Sequence, residues 1–197
     1  MCPGGYVVNA SSEDKLLAVN GMSYYKRDSL NANSAIVVTV TPDDFGKMPM
    51  DGVRYQRELE EKAYMLGKGN IPVQLLKDYY DNRTSNEFGT VKPIFKGKYS
   101  FANLNLLYPE YINDSLKDAI RHFETKIEGF SSSDSIIAGI ESRTSSPVRI
   151  IRDDNCVSNI LGIYPCGEGA GYAGGITTSA IDGIKVAEAI ICKYKID

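Results

Sequence analysis

From Leu161 to Ile176 the chain reads Leu-Gly-Ile-Tyr-Pro-Cys-Gly-Glu-Gly-Ala-Gly-Tyr-Ala-Gly-Gly-Ile, a short apolar run feeding a glycine-dense turn that opens into a helix. Gly167, Gly169, Gly171, Gly174 and Gly175 let the backbone adopt positive φ and approach a ligand closely. The helix that follows aims its unpaired N–H groups at the same place. Such a turn cradles phosphates and cofactors. Gly169, Gly171 and Gly174 also spell a literal G-x-G-x-x-G, but the dinucleotide fingerprint requires a complete βαβ unit with an acidic residue about 20 residues further on. No second strand follows here.

The motifs around this turn carry a resemblance. Ser142-Arg-Thr-Ser-Ser-Pro-Val-Arg-Ile, then Tyr164-Pro-Cys-Gly-Glu-Gly-Ala-Gly-Tyr-Ala-Gly-Gly-Ile, then Ala180-Ile-Asp-Gly-Ile-Lys-Val-Ala-Glu resemble the C-terminal end of the FAD-dependent (NAD/FAD-utilising) dehydrogenases. The opening Met1-Cys-Pro-Gly-Gly-Tyr-Val-Val-Asn-Ala, with Val19-Asn-Gly-Met-Ser, resembles a middle segment of the same family. The resemblance implies that the family's FAD-binding βαβ unit lies upstream of Met1, so that the chain is expected to be a fragment of a larger flavoprotein, apo and inactive by itself.

Composition bounds the remaining choices. With 197 residues, 43% of them hydrophobic and 24% charged, the chain can build a core as one or two globular domains. The 22 basic and 25 acidic residues give no electrostatic case for nucleic acid or an anionic membrane. No apolar run approaches the roughly 20 residues of a membrane span, and no basic-then-apolar leader opens the chain. The expected location is the cytoplasm. Cys2, Cys156, Cys166 and Cys192 are scattered without a C-x-x-C, and there is one histidine, so no metal site is expected.

The two ends of the chain read as β-rich. Gly5–Asn9 and the nearly continuous apolar run Ser34–Val40 predict strands, the second covered on both faces. Asn20-Gly21 is suited to a hairpin turn or to close approach by a cofactor. Later, Ser135–Ile140, Pro147–Ile151 and Leu161–Tyr164 predict strands. The terminal helix is predicted from about Ile176 to Lys193, burying Ala180, Ile184, Ala187 and Ile191 and wetting Asp182, Lys185 and Glu188.

The middle is more helical and polar. A helix from Asp51 to about Leu66 places Tyr55, Leu59, Ala63 and Leu66 on one stripe, with Asp51 as its cap and Gly67 and Gly69 as its stop. Ile71 to Tyr80 shows no clean period; its tyrosines suit either a cleft or a core. A second helix, capped by Asp114, aligns Leu116, Ile120, Phe123 and Ile127. His122 lies beside that stripe and reads as solvent-facing, with a general-base role as the alternative.

The expected fold is α/β (mixed α+β), with a partial FAD-binding-type sheet unit formed by both chain ends, residues 1–40 and 131–197. A helical and β cap, residues 41–130, interrupts it and faces substrate. The resemblance implies an oxidoreductase passing hydride or electrons through FAD to a small-molecule substrate of unidentified structure, with NAD(P)H as a candidate electron donor. It also implies that Gly167 and Glu168 contact the ribityl or pyrophosphate region of FAD, that Gly174, Gly175 and Ile176 donate toward the flavin ring, and that Gly169 belongs to the same cofactor-binding turn. From the residues themselves, Arg143 and Arg149 are candidate anion binders, and Cys166 a candidate redox partner. The hexamer Glu141–Ser146 reads equally as an anion-binding loop or as a hydrogen-bonded loop with an Arg–Glu pair. Two other function classes stay open, a non-enzymatic nucleotide-binding or interaction module and an RNA-modifying flavoprotein.

Overall fold

A computed structural model describes residues 3–194. Backbone contacts divide the chain into two units, Met1–Thr41 with Gln56–Ser142, and Pro42–Tyr55 with Arg143–Asp197. The fold is mixed α/β, with six strands forming two small mixed sheets and five α-helices among the described residues.

In the first unit, β1 (Gly5–Asn9) pairs antiparallel with β2 (Val19–Ser23) and parallel with β4 (Phe95–Lys96). The second sheet centres on β3 (Ile71–Leu75), flanked by β5 (Tyr99–Phe101) in parallel and β6 (Ile136–Ala138) antiparallel. Strands from the two chain ends therefore pair with the middle of the sequence and not with each other.

β3 is buried at every position. It runs straight into α3 (Leu76–Tyr80), so the side-chain period changes from 2 to 3.6 between adjacent residues. Gln74 sits inside fully satisfied: its amide donates to Arg83 O at 2.6 Å and its carbonyl accepts from Leu104 N–H at 2.8 Å. Tyr79 is core, its hydroxyl donating to Asn113 Oδ1 at 2.7 Å. A buried polar group keeps its place only when paired in this way.

Helix α2 (Asp51–Leu66) has the predicted bounds, with Leu59 and Ala63 buried and Tyr55 and Leu66 half-buried on its stripe. Asp51 is its first helical residue; its carboxylate accepts from Met48 N–H at 2.8 Å and pairs with Arg54. At Gly67 any Cβ would fall 1.9 Å from Asn70 O, so only glycine lets the chain turn away there. Helix α4 (Glu110–Glu124) starts one turn before Asp114, with Pro109 at its N-cap; of its predicted stripe Ile120 is buried and Leu116 half-buried, but Phe123 is exposed and Ile127 lies exposed beyond the helix end, and burial falls also on Ile112 and Asn113. Its His122 is exposed, as the periodicity predicts.

Asn20-Gly21 is not a turn. Both residues lie within β2, paired with Val8 and Val7. Asn33 Nδ2 bridges β1 and β2, donating to Tyr6 O at 2.8 Å and Met22 O at 3.2 Å, and a Cβ on Gly21 would crowd that amide at 3.1 Å. Residues 34–40 form no strand. No neighbour supplies a ladder for this run, and Val37 is 67% exposed.

The second unit contains α1 (Pro42–Phe45), the first turn of α2 and the terminal helix α5 (Ile176–Tyr194). Two further predicted strands are absent. Residues 158–163 close on themselves through Ser158 N–H to Ile163 O at 2.9 Å, with Gly162 at φ +86. Residues 147–151 are held to the glycine turn by a single backbone bond, Ile150 N–H to Ala170 O at 3.2 Å, which is no ladder. On α5 the predicted stripe of Ala180, Ile184, Ala187 and Ile191 is exposed, while Lys185 and Glu188 are exposed as predicted and Asp182 is not. Asp182 and Val186 are buried, whereas Ile184 and Ile191 are 61% and 50% exposed.

Candidate functional site

The glycine turn is built against residues 146–152 of its own unit. Gly167 takes φ +70 and its carbonyl accepts from Tyr172 N–H at 3.0 Å, while Glu168 O accepts from Gly171 N–H at 2.9 Å. Gly171, at φ +82, lies so close to the neighbouring segment that a Cβ would sit 2.7 Å from Val148 O and 3.0 Å from Arg149 Cα. The Ser146 hydroxyl reaches Val148 O at 2.8 Å and Gly169 O at 3.1 Å.

Beneath the turn lies an ion pair that no local sequence pattern signals. Arg152 Nη1 and Nη2 donate to Asp182 Oδ2 and Oδ1 at 3.0 and 2.6 Å, and Nη1 also donates to Pro165 O at 2.7 Å. Both side chains are 11% exposed. Gly167 N–H adds a bond to Asp182 Oδ2 at 2.8 Å. Bonds from Arg152 and from Gly167 hold the Asp182 carboxyl down at about 2. Asp182 was expected on the wet face because its neighbours at the predicted stripe are apolar. An arginine within reach reverses the preference, since a bidentate guanidinium satisfies a buried carboxylate. The visible clue was an isolated Asp in an Ala- and Ile-rich helix.

Arg149 and Arg152 both approach the Tyr172 ring, with guanidinium carbons 4.3 and 3.7 Å from its centroid, and Arg152 N–H donates to the Tyr172 hydroxyl at 3.1 Å. Arg149 is exposed and makes no ion pair among the described residues, so its charge is available to an anion. Arg143 and Cys166 are exposed too, Cys166 as a free thiol. Cys156 and Cys192 are likewise free, and Cys2 lies outside the described residues.

The turn fits a large ligand in one specific respect. Gly169 and Gly174 have ordinary φ, and no atom lies within 4 Å of the place a Cβ would occupy; Gly175 would meet only Thr178 Oγ1, at an ordinary 3.6 Å. Nothing inside this chain demands glycine at Gly169 or Gly174. Glu168 and Gly174 are exposed and Ile176, the first residue of α5, is 94% exposed, so the turn and the helix start share an open face. The Gly167 N–H, by contrast, is engaged by Asp182. Among the described residues no group of three or more His, Cys, Asp or Glu is placed to hold a metal ion, and no helix is long and apolar enough to cross a membrane.

The family model described as "FAD-dependent protein, C-terminal domain-like" matches residues 1–144. An uncharacterized protein of Clostridium beijerinckii is 50% identical over 198 residues, covering 98% of this chain and 37% of the relative. The chain thus spans 37% of that relative's length. The glycine turn lies outside the residues matched to the family model but inside the stretch shared with the relative.

Proposed function

We propose that this chain, which belongs to the FAD-dependent protein C-terminal domain-like family, contributes part of the flavin site of an FAD-dependent oxidoreductase. The observation that carries the reading is the pair Gly169 and Gly174, open on the side a ligand would take and required by nothing within the chain.

Gly167, Glu168 and Gly169 would hold the ribityl and pyrophosphate part of FAD; Gly174, Gly175 and Ile176 would present backbone N–H groups at the start of α5. A helix N-terminus favours negative charge nearby. Glu168 repels a phosphate and suits a hydroxyl-bearing ribityl chain. The exposed guanidinium of Arg149 would bind an anionic group of cofactor or substrate. Bound FAD supplies hydride and electron transfer, with NAD(P)H as the proposed donor and a small molecule as the acceptor. Cys166, a free exposed thiol, would be the candidate redox partner, and residues 41–130 would form the substrate-side cap.

The test is flavin uptake. The longer Clostridium beijerinckii relative and this chain are each dialysed against FAD and read by the visible flavin band. A relative that retains flavin, with uptake lost on replacing the glycines aligned with Gly169 and Gly174 by valine, supports the reading. A relative that folds and takes up none sinks it.

A further inference from the structure

The first unit carries a half-open pocket of about 940 Å³ to which the flavin reading assigns no role. Its walls come from both sheets and from α4, with Val7, Ile36, Ile94, Ile120, Phe130 and Ile137 supplying apolar surface. Polar groups on the lining are mostly engaged within the protein. Asn33 bridges β1 and β2, Asn31 donates to Lys92 O at 2.7 Å, and the Tyr79 hydroxyl is held by Asn113.

Glu141 differs from all of these. Among the described lining residues it is the one that carries charge at neutral pH, and no lysine, arginine or histidine lines the cavity. It is half-buried, it follows the buried Ile140, and its carboxylate makes no hydrogen bond or ion pair among the described residues. Burial also pushes its carboxyl above the ordinary 4.5. A largely apolar pocket of this size with a few polar groups on its lining is the usual form of a small-molecule site, and a partly desolvated carboxylate with no cation of its own is complementary to a ligand that brings one.

We propose that the first unit binds an apolar amine, its hydrocarbon body filling the cavity between the two sheets and its ammonium group on the Glu141 carboxylate. The site lies wholly within residues 5–141 and needs no flavin, so it stands or falls separately from the cofactor assignment.

Three probes with one hydrocarbon body separate the possibilities: phenylbutylamine, phenylbutanol and phenylbutyrate, titrated calorimetrically into the 197-residue chain. The amine is expected to bind best, about tenfold or more tighter than the alcohol, with the acid weakest. Glu141→Gln should bring the amine down to the alcohol's affinity and leave the alcohol unchanged, in a protein whose melting curve shows it folded. Ile36→Trp and Ala138→Phe fill the cavity from different walls; whichever of them folds should lose the amine and the alcohol together. Equal affinity for the three probes, no binding of any, an amine affinity untouched by Glu141→Gln, or binding that survives a folded cavity-filling variant overturns the assignment.

Discussion

Arg152 and Asp182 meet in a two-pronged pair, Nη1 to Oδ2 at 3.0 Å and Nη2 to Oδ1 at 2.6 Å, thirty residues apart in sequence and 11% exposed on each side. The pair anchors the start of the glycine turn as well as α5, because Asp182 also accepts the Gly167 N–H and Arg152 also donates to Pro165 O. Removing one partner leaves the other charge without compensation. Asp182→Ala is therefore expected to destabilise the second unit by about 3 kcal/mol, measured by urea denaturation. Arg152→Lys should recover only part of the loss, since an ammonium cannot reproduce the fork.

The same pair sets an acid limit. The Asp182 carboxyl sits at about 2 in the folded chain against an ordinary 3.8. A depressed carboxyl contributes stability that is complete above its unfolded value and lost as pH falls through the folded one. Denaturation midpoints should hold down to about pH 4 and drop between there and pH 2. Glu124, whose carboxylate takes N–H bonds from Gly129 and Ser131, and Asp134, bonded by Thr90, are also lowered and steepen the decline. Asp182→Asn should flatten this drop, and an unchanged acid profile in that variant would remove Asp182 from the account.

Helix α2 was legible in the sequence because its burial follows a period. The bounds of α2 are those its Tyr55, Leu59, Ala63 and Leu66 stripe implies, while on α4 the period locates Ile120 but burial shifts toward Ile112 and leaves Phe123 exposed. β3 and α3 were hidden because Pro72 and Gln74 interrupt an apolar pattern and the period changes at Leu76, so no window of useful length contains one signal. Residues 34–40 and 161–164 have strand composition without a partner, and a ladder depends on a neighbour as much as on the run itself. At the site, the glycine turn was visible from composition, whereas the Arg152–Asp182 pair depends on a contact between distant residues that no local pattern encodes.

Two glycines of the second unit should behave oppositely toward alanine. Gly171 has φ +82 and no room, with Val148 O 2.7 Å from the added Cβ, so Gly171→Ala combines left-handed strain with a clash. A loss of about 2 kcal/mol or more is expected. Gly183 lies in the middle of α5 with nothing within 4 Å of its would-be Cβ. Gly183→Ala should stabilise by up to about 1 kcal/mol through helix propensity. Thermal melts of the two variants check the sign of each, and a stable Gly171→Ala would refute the packing of residues 146–150 against the turn.

Glu141 gives the last prediction, read from stability alone. Its folded carboxyl lies above the ordinary 4.5 because burial disfavours the charged form. The folded state therefore holds its proton to higher pH than the unfolded chain does. Stability from that group is full below the ordinary value and falls as pH rises through the folded one, after which a constant penalty remains. Glutamine carries no charge at either end. Glu141→Gln should match the parent near pH 4 and melt higher than the parent at pH 7, in the absence of any ligand. A lower melting temperature at pH 7 would mean that the carboxylate is stabilised by a partner within the protein, contrary to its unpaired position on the cavity wall.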